Sequence, residues 1–323
     1  MPAEAADNSA ELQSAVADAI GRYVVAGQGL CLALSGGRDS VVLLHLLHKY
    51  SGGLPLRALH IDHGLHPDSA AWANFCGDLC AALGVPLVTR KVSVARNSGL
   101  GLEAAARDAR YSAFVQQLAP NEVLVTAHHR DDQVETLLLQ LLRGAGPHGL
   151  AAMPQLGFQY RIPVLRPLLT VAANVIRAFA NAQQIEWVED PSNSDLSFDR
   201  NFLRQEIMPR LEQRWPKAQR AMARSARLSG EAAAILDQLA DDDLRSLRAG
   251  NRLDLAGLQC LPESRQRNAV RRLLRQLDLP VPGERQLTLM LATMHEARED
   301  AQPLIAWPGV RVHRYNKSIG FFP

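Results

Sequence analysis

Four short apolar runs, Gly29–Leu34, Leu56–Ile61, Val85–Val94 and Val123–Ala127, alternate with stretches whose leucines and alanines recur at helical spacing. No other feature limits the fold of this chain as much. A strand that is apolar without interruption has no wet face. It therefore belongs in a parallel sheet covered on both sides, and parallel neighbours need helical crossovers between them. The segments Ser40–Tyr50, Ser69–Leu83, Glu103–Leu118 and Asp132–Leu142 supply those crossovers. Turn signals at Gly52-Gly53, Gly84 and Pro120-Asn121 punctuate the joints. The expected fold class is α/β, with a Rossmann-like parallel sheet.

Further along, Gly144–Pro167 reads as a loop with one short strand at Gln159–Val164, and Val171–Ala182 and Phe198–Met208 read as helices. From Pro216 to about Ser246 the pattern is one long helix, heptad-like in places. Asn251–Pro323 reads as a small α+β unit, with helices near Pro262–Leu277 and Glu284–Ala297 and then short strands. The expected division is a catalytic domain at 1–215, a helical connector at 216–250 and a small C-terminal domain at 251–323, in keeping with a length of 323 residues. The net charge of +2 hides an asymmetry: residues 1–199 carry 14 Lys/Arg against 19 Asp/Glu, and residues 200–323 carry 21 against 14. A polyanionic partner would prefer the C-terminal part, although arginines on solvated helix faces explain the same count. No apolar run approaches the roughly 18 residues that span a bilayer, and Met1–Ala10 lacks the pattern of a signal peptide. Cys31, Cys76, Cys80 and Cys260 form neither a C-x-x-C pair nor a disulfide framework. The expectation is a soluble, cytoplasmic protein with no membrane association.

Between the first strand and its helix lies Ser35-Gly36-Gly37-Arg38-Asp39-Ser40. Glycines at 36 and 37 let the backbone approach a ligand closely. Successive backbone N–H groups at a helix N-terminus make an anion site, to which Ser35 and Ser40 add hydroxyls. The usual phosphate loop ends in Gly-Lys, a dipeptide absent from this sequence. Asp39 is the odd member, because a carboxylate beside phosphate is repelled unless it meets a cation or polarises something. Near the fourth strand, His128 and His129 sit at the carboxyl edge where open α/β sheets bind ligands. Asp131, Asp132 and Glu135 follow in the first turns of a helix, with Asp131 and Glu135 on one side. Such carboxylates either complement the helix dipole or hold Mg²⁺, directly or through water. His128 suits a phosphate or leaving-group partner, and His129 suits a core position equally well. Arg107 and Arg110 are spaced to grip a phosphate or an acidic substrate, unless Arg107 pairs with Asp108. Arg143 is placed to reach back over the same edge. Asp190, Asn193, Arg200, Asn201 and Arg204 cluster around a turn and a helix start, where capping is the alternative role for each.

The loop resembles that of the PP-loop ATP pyrophosphatases, which cut ATP between the α and β phosphates. Within that superfamily, the ordered set of motifs resembles the tRNA(Ile)-lysidine synthases. It comprises "LHIDHGLHPDS" after the second strand, "LEAAARDARYSAF", "VTAHHRDDQVETLLLQLLRGAG", "GLAAM", "RPLL" and "EDPSNSDLSFDRNFLRQEIMP", and it spans about 180 residues. The small C-terminal unit is similar to the family's first C-terminal domain. Many members carry a further domain of about a hundred residues beyond it. Its absence would bear on tRNA discrimination and not on the ATP chemistry.

The resemblance implies ATP and Mg²⁺ as cofactors, with L-lysine and a tRNA(Ile) bearing a CAU anticodon as partners. The wobble cytidine would be adenylated at its C2 oxygen and AMP then displaced by lysine, so that the codon read changes from AUG to AUA and the tRNA identity from Met to Ile. Ser35, Gly36, Gly37, Arg38, Asp39 and Ser40, with His60, Arg107 and His128, would hold ATP. Asp39, Arg107, His128, Asp132 and Glu135 would carry the chemistry. Arg110, Asp131, Arg143, Asp190, Asn193, Arg200, Asn201 and Arg204 would meet lysine or tRNA. The metal ligands and any homodimer stay open. Among rivals sharing the loop, a PP-loop tRNA thiolase needs catalytic cysteines, whereas Cys76 and Cys80 lie four apart in a helix and read as core. An amidotransferase-type synthetase needs a glutaminase and its N-terminal cysteine. A non-catalytic, nucleotide-dependent tRNA-binding module would keep the loop without releasing pyrophosphate.

Overall fold

Strand β1 (Gly29–Ala33) runs through the centre of a six-stranded sheet, and its alternation sets the layers. Leu30 and Leu32 are fully buried with Leu12 and Val16 of α1 (Pro2–Tyr23) and Leu43, Leu44 and Leu47 of α2 (Arg38–Tyr50). Cys31 points to the opposite face, where it packs with Leu59, Tyr111 and Phe114. The computed structural model describes residues 2–94, 102–298 and 301–323, which divide into two units, Met1–Gly230 and Glu231–Pro323.

In the first unit β2 (Leu56–Asp62), α3 (Ser69–Ala82), β3 (Leu87–Lys91), α4 (Leu102–Gln117), β4 (Glu122–Val125) and α5 (Arg130–Leu142) continue the alternation. A one-turn helix α6 (Pro147–Leu150), a hairpin of β5 (Leu156–Gln159) and β6 (Ile162–Leu165), and α7 (Ala173–Ala182) follow. The strand order is β3-β2-β1-β4-β6-β5, parallel except for β5 at the edge. This is the α/β, Rossmann-like sheet expected from the apolar runs. The chain leaves β1 for β2 on one side and later returns to place β4 on the other. The order therefore reverses beside β1, and ligands bind at the carboxyl ends of the strands at such a point. The single strand expected at Gln159–Val164 is instead the β5–β6 hairpin. Its two-residue turn uses Tyr160 and Arg161 at φ +50° and +67°, where Asn-Gly is the usual signal.

Beyond α7 come a 3₁₀ turn at Pro191–Ser194, α8 (Asp199–Phe202), a π-helical turn at Leu203–Ile207 and α9 (Met208–Arg214). Helix α10 (Ala218–Leu247) carries buried Ala226, Ala233 and Ala240 at seven-residue spacing, and the boundary between the units falls within it.

The second unit contains β7 (Arg248–Ala249), β8 (Arg252–Asp254), α11 (Leu255–Gln259), α12 (Glu263–Gln276), α13 (Glu284–Glu296), β9 (Leu304–Trp307), β10 (Val310–Tyr315) and β11 (Ser318–Phe322). Its antiparallel sheet, ordered β7-β8-β11-β10-β9, shares a core with Val270, Leu273, Leu287 and Met290 of the helices. Arg272 pairs with Asp237 and Asp241, Arg275 with Asp237 and Arg265 with Asp243. Residues 245–275 form a basic run of eight arginines against two acidic residues, and these three arginines of the run are paired with aspartates of α10. No helix among the described residues is long and apolar enough to cross a membrane.

Candidate active site

The loop between β1 and α2 is tied by its own hydroxyls. Ser40 Oγ donates to the Gly37 carbonyl at 2.9 Å and lies 3.0 Å from Ser35 Oγ, which accepts from Gly37 N–H. Gly36 has φ +87°, and a Cβ there would stand 3.2 Å from Cys76 Sγ. Only glycine makes this turn without strain. Gly37 is the N-cap of α2, so the amides that open the helix face the carboxyl end of the sheet. Arg38 donates to Asp39 Oδ1 at 2.9 Å and so has a partner inside the loop.

Asp39 faces the start of α5. His129, 3% exposed, has Nε2 at 3.5 Å from Asp39 Oδ2 and 3.5 Å from Asp132 Oδ2, and its Nδ1 stands 3.8 Å from Asp131 Oδ1. Burial alone would neutralise the ring. The Asp132 charge, the Asp39 hydrogen bond and the Asp39 and Asp131 charges overcome it and raise the pKa to about 9. Burial likewise pushes the Asp39 and Asp132 carboxyls up. For Asp39 the His129 hydrogen bond and charge, with Arg38, win and hold it below its ordinary value. For Asp132 the charges of His129, His128 and Arg204 and a backbone N–H do the same. His128 takes the opposite course: burial, followed by Arg166, Arg200 and Arg110, outweighs Asp132 and pushes it down to about 3. Its Nδ1 lies 2.8 Å from Thr126 Oγ1. The adjacent histidines therefore hold different charges, imidazolium at 129 and neutral imidazole at 128.

Arg204, on the π-helical turn, ties the second half of the site together. Its Nε donates to Glu135 Oε1 at 2.7 Å and its Nη2 to Asp132 Oδ1 at 3.1 Å. Glu135 is 1% exposed. Its pKa is still raised, because burial exceeds the Arg204 pairing.

Two cavities adjoin this centre. The larger, about 690 Å³, runs from Ser35 along the ends of β1 and β2, and Arg110, Asp190, Asn193, Arg200, Asn201 and Arg204 contribute to its wall. Asp190 accepts from Ser192 N–H, and Asn201 donates to the Ser192 and Asp195 carbonyls, so both also shape their turn. The smaller, about 130 Å³, is walled by Asp131, Glu135, Glu212, Arg204 and Gln219 together with apolar groups. Burial and the Asp131 charge raise the Glu212 carboxyl. Glu212 and Gln219 were absent from the sequence expectation, since they come from α9 and α10 without any motif.

Three expected residues lie differently. His60 lines the large cavity, but its Nδ1 is committed to the Leu34 carbonyl at 2.8 Å. Arg107 does not line either cavity; its guanidinium lies 5.0 Å over the Tyr111 ring. Arg143 caps the far end of α5, an end the helix carries roughly 16 Å from Asp132. Cys31 and Cys76 are pushed up to about 12 and Cys80 to about 11 by burial, so they are protonated core residues and not thiolates.

Residues 7–211 match the family model described as a PP-loop domain, and residues 253–319 match that of the TilS substrate binding domain. A U34-tRNA thiolase from Methanococcus maripaludis shares the fold, with a TM-score of 0.55 at 18% identity over 69% of this chain and 79% of that one. Loop, sheet and family model define a PP-loop, ATP-using enzyme. The chain is 46% identical over 297 residues to the tRNA(Ile)-lysidine synthase of Alkalilimnicola ehrlichii, covering 91% of this chain and 67% of that one. It is 40% identical over 304 residues to the synthase of Shigella flexneri, covering 93% and 70%. The chain belongs to the tRNA(Ile)-lysidine synthase family, and it spans about two thirds of the length of these curated relatives.

Proposed function

We propose that this chain ligates L-lysine to C2 of the wobble cytidine in a tRNA(Ile) with a CAU anticodon, with residues 1–215 catalytic and 251–323 gripping the tRNA. The observation that carries the reading is the pair of adjoining cavities that share Arg204, one opening on the phosphate loop and one walled by carboxylates. Two half-reactions need two such compartments. In the first, the cytidine O2 attacks the α-phosphorus of ATP, the bond to the β-phosphate bridging oxygen breaks, and pyrophosphate leaves. The amides that open α2 stabilise the charge that gathers on the departing group. His128, neutral, can accept or donate a hydrogen bond to phosphate without adding charge. In the second, the lysine amine attacks C2, the C2–O bond breaks, and AMP leaves with that oxygen.

The ammonium of free lysine must lose a proton before it attacks. Asp131, Glu135 and Glu212 surround a space that suits a cation, and burial leaves the Glu135 and Glu212 carboxyls raised until one arrives. Glu135 is the carboxylate that serves as base, since a raised pKa brings it closer to the working pH. Arg204 separates the compartments and holds Glu135 and Asp132 in place. Mg²⁺ would enter as part of the MgATP substrate, and Asp39, held below its ordinary pKa beside the loop, would be the carboxylate to meet it.

The test is incubation of the folded protein with labelled lysine, MgATP and a transcript bearing a CAU anticodon. The expected result is tRNA-dependent incorporation with one AMP and one pyrophosphate per lysine. Pyrophosphate release without incorporation would leave an adenylating enzyme of different specificity. Failure to form either product with folded protein would overturn the reading.

A further inference from the structure

The sheet of the second unit has an outward face to which the two half-reactions assign no residue. Along β10 and β11, Val310, Val312, Ile319 and Phe321 are buried. Tyr315, His313, Gly320 and Phe322 alternate to the other side. Register places Gly320 between His313 on β10 and Arg252 on β8. Three rings converge over this glycine. Tyr315 and Phe322 have centroids 6.2 Å apart, and His313 lies 5.9 Å from Tyr315 and 6.0 Å from Phe322. A Cβ at Gly320 would come within 2.9 Å of Phe322 and 3.1 Å of Tyr315, so glycine is what lets both rings lie down on the strand. Above them the Arg252 guanidinium stands 4.2 Å from the Tyr315 ring centre.

Rings that shield a strand glycine are a familiar structural device. The cation is what that device leaves unexplained. Arg252 is exposed and forms no ion pair among the described residues. Asp254, the nearby carboxylate of β8, is turned to Gly257 N–H as a helix cap. The outer layer of the stack is therefore a guanidinium plane with its charge unmatched, laid on an aromatic floor. Such a surface takes a flat, electron-rich group on its plane and an anion on its edge. A nucleotide of single-stranded RNA offers both, a base and the phosphate that follows it. A duplex keeps its bases paired within the helix, and an acidic side chain offers an anion without an aromatic face to stack.

We propose that this face stacks an unpaired base of RNA, with Arg252 taking the adjoining phosphate. The assignment of that RNA to a tRNA rests on the function proposed above; the stacking chemistry does not.

The test uses the full chain with three probes: the CAU transcript, a labelled uridine hexamer and a short RNA duplex. Tyr315→Ala combined with Phe322→Ala is expected to weaken the transcript and the hexamer by roughly tenfold or more, with ATP affinity unchanged and the duplex little affected. Tyr315→Trp should keep binding, since it keeps a stacking plane. Ultraviolet crosslinks from the hexamer should map to the peptide holding Tyr315 and Phe322. If the double variant melts early, Arg252→Ala on the surface takes its place and should weaken the hexamer several-fold. Unchanged affinity in a folded variant, or crosslinks confined to residues 1–230, would overturn the proposal. A concentration-dependent dimer that Arg252→Ala dissolves would overturn it too, by assigning the face to a second copy. Crosslinking at Tyr315 without lysine incorporation would leave this face standing and the ligation rejected. Incorporation with an unchanged KM for tRNA in Arg252→Ala would do the reverse.

Discussion

His129 sits among Asp39, Asp131 and Asp132, and its charge helps hold the Asp39 and Asp132 carboxyls ionised beside a loop built for anions. Its pKa rises from 6.5 to about 9 on folding, so the folded chain binds this proton more tightly than the unfolded one. The resulting stabilisation is complete below about pH 6.5 and is lost as the pH rises through about 9. For the nucleotide-free protein, the denaturation midpoint should fall across that window, by on the order of 2–3 kcal/mol in stability. His129→Gln should flatten the fall, and an unaltered profile in that variant would remove His129 as its source. Gly36→Ala makes a second claim at this scale. The new methyl must tolerate φ +87° and a contact 3.2 Å from Cys76 Sγ. A loss of about 1–2 kcal/mol in stability is expected, with a larger loss of ATP affinity because the loop amides turn with the backbone. Titration calorimetry against MgATP reads the second effect.

At the scale of elements, the π-helical turn Leu203–Ile207 sets the direction of Arg204 relative to α9 and its Glu212 beyond the turn. One extra residue per turn shifts every side chain beyond it by about 100° relative to an α-helix. Deleting Glu206, whose only side-chain partner among the described residues is Arg210 on the surface, would restore the α spacing. The expected result is a folded protein that still binds ATP but has lost lysine incorporation; activity within twofold of the parent would show that the turn is incidental. Nothing in "FLRQEI" marked this turn, because one inserted residue barely disturbs a helical pattern. The β5–β6 hairpin was hidden for a related reason, since Tyr160-Arg161 stands where a turn signal would have been read. The signal for α1, by contrast, is present in Leu12, Val16, Ala19 and Ile20 at helical spacing, all of them buried. The parallel sheet was legible because uninterrupted apolar strands leave few alternatives. Ser35–Ser40 and the His128–Glu135 segment were legible as candidates because each is contiguous. Glu212 and Gln219 enter the second cavity only through tertiary packing, which no local pattern encodes.

Charge and cores together set the behaviour of the whole molecule. Residues 200–227 carry eight basic and two acidic residues, whereas much of the later basic run is matched by the aspartates of α10. Affinity for tRNA should therefore fall steeply with salt, on the order of a hundredfold between 50 and 200 mM. Substitutions within 200–227 should reduce that slope more than substitutions at Arg265, Arg272 or Arg275. The two units also have separate cores, one built on Leu30, Leu32 and Leu44 and the other on Val270, Leu273 and Phe321. A ligand stabilises only the unit it binds. The phosphate loop and both cavities belong to the first unit. MgATP at about a hundred times its Kd should therefore add about 2.7 kcal/mol to the first unit alone. Scanning calorimetry should then show one component of the transition moving to higher temperature with MgATP while the other stays. A single transition that moves as a whole would mean that the units unfold as one, and the separate cores would not then act separately.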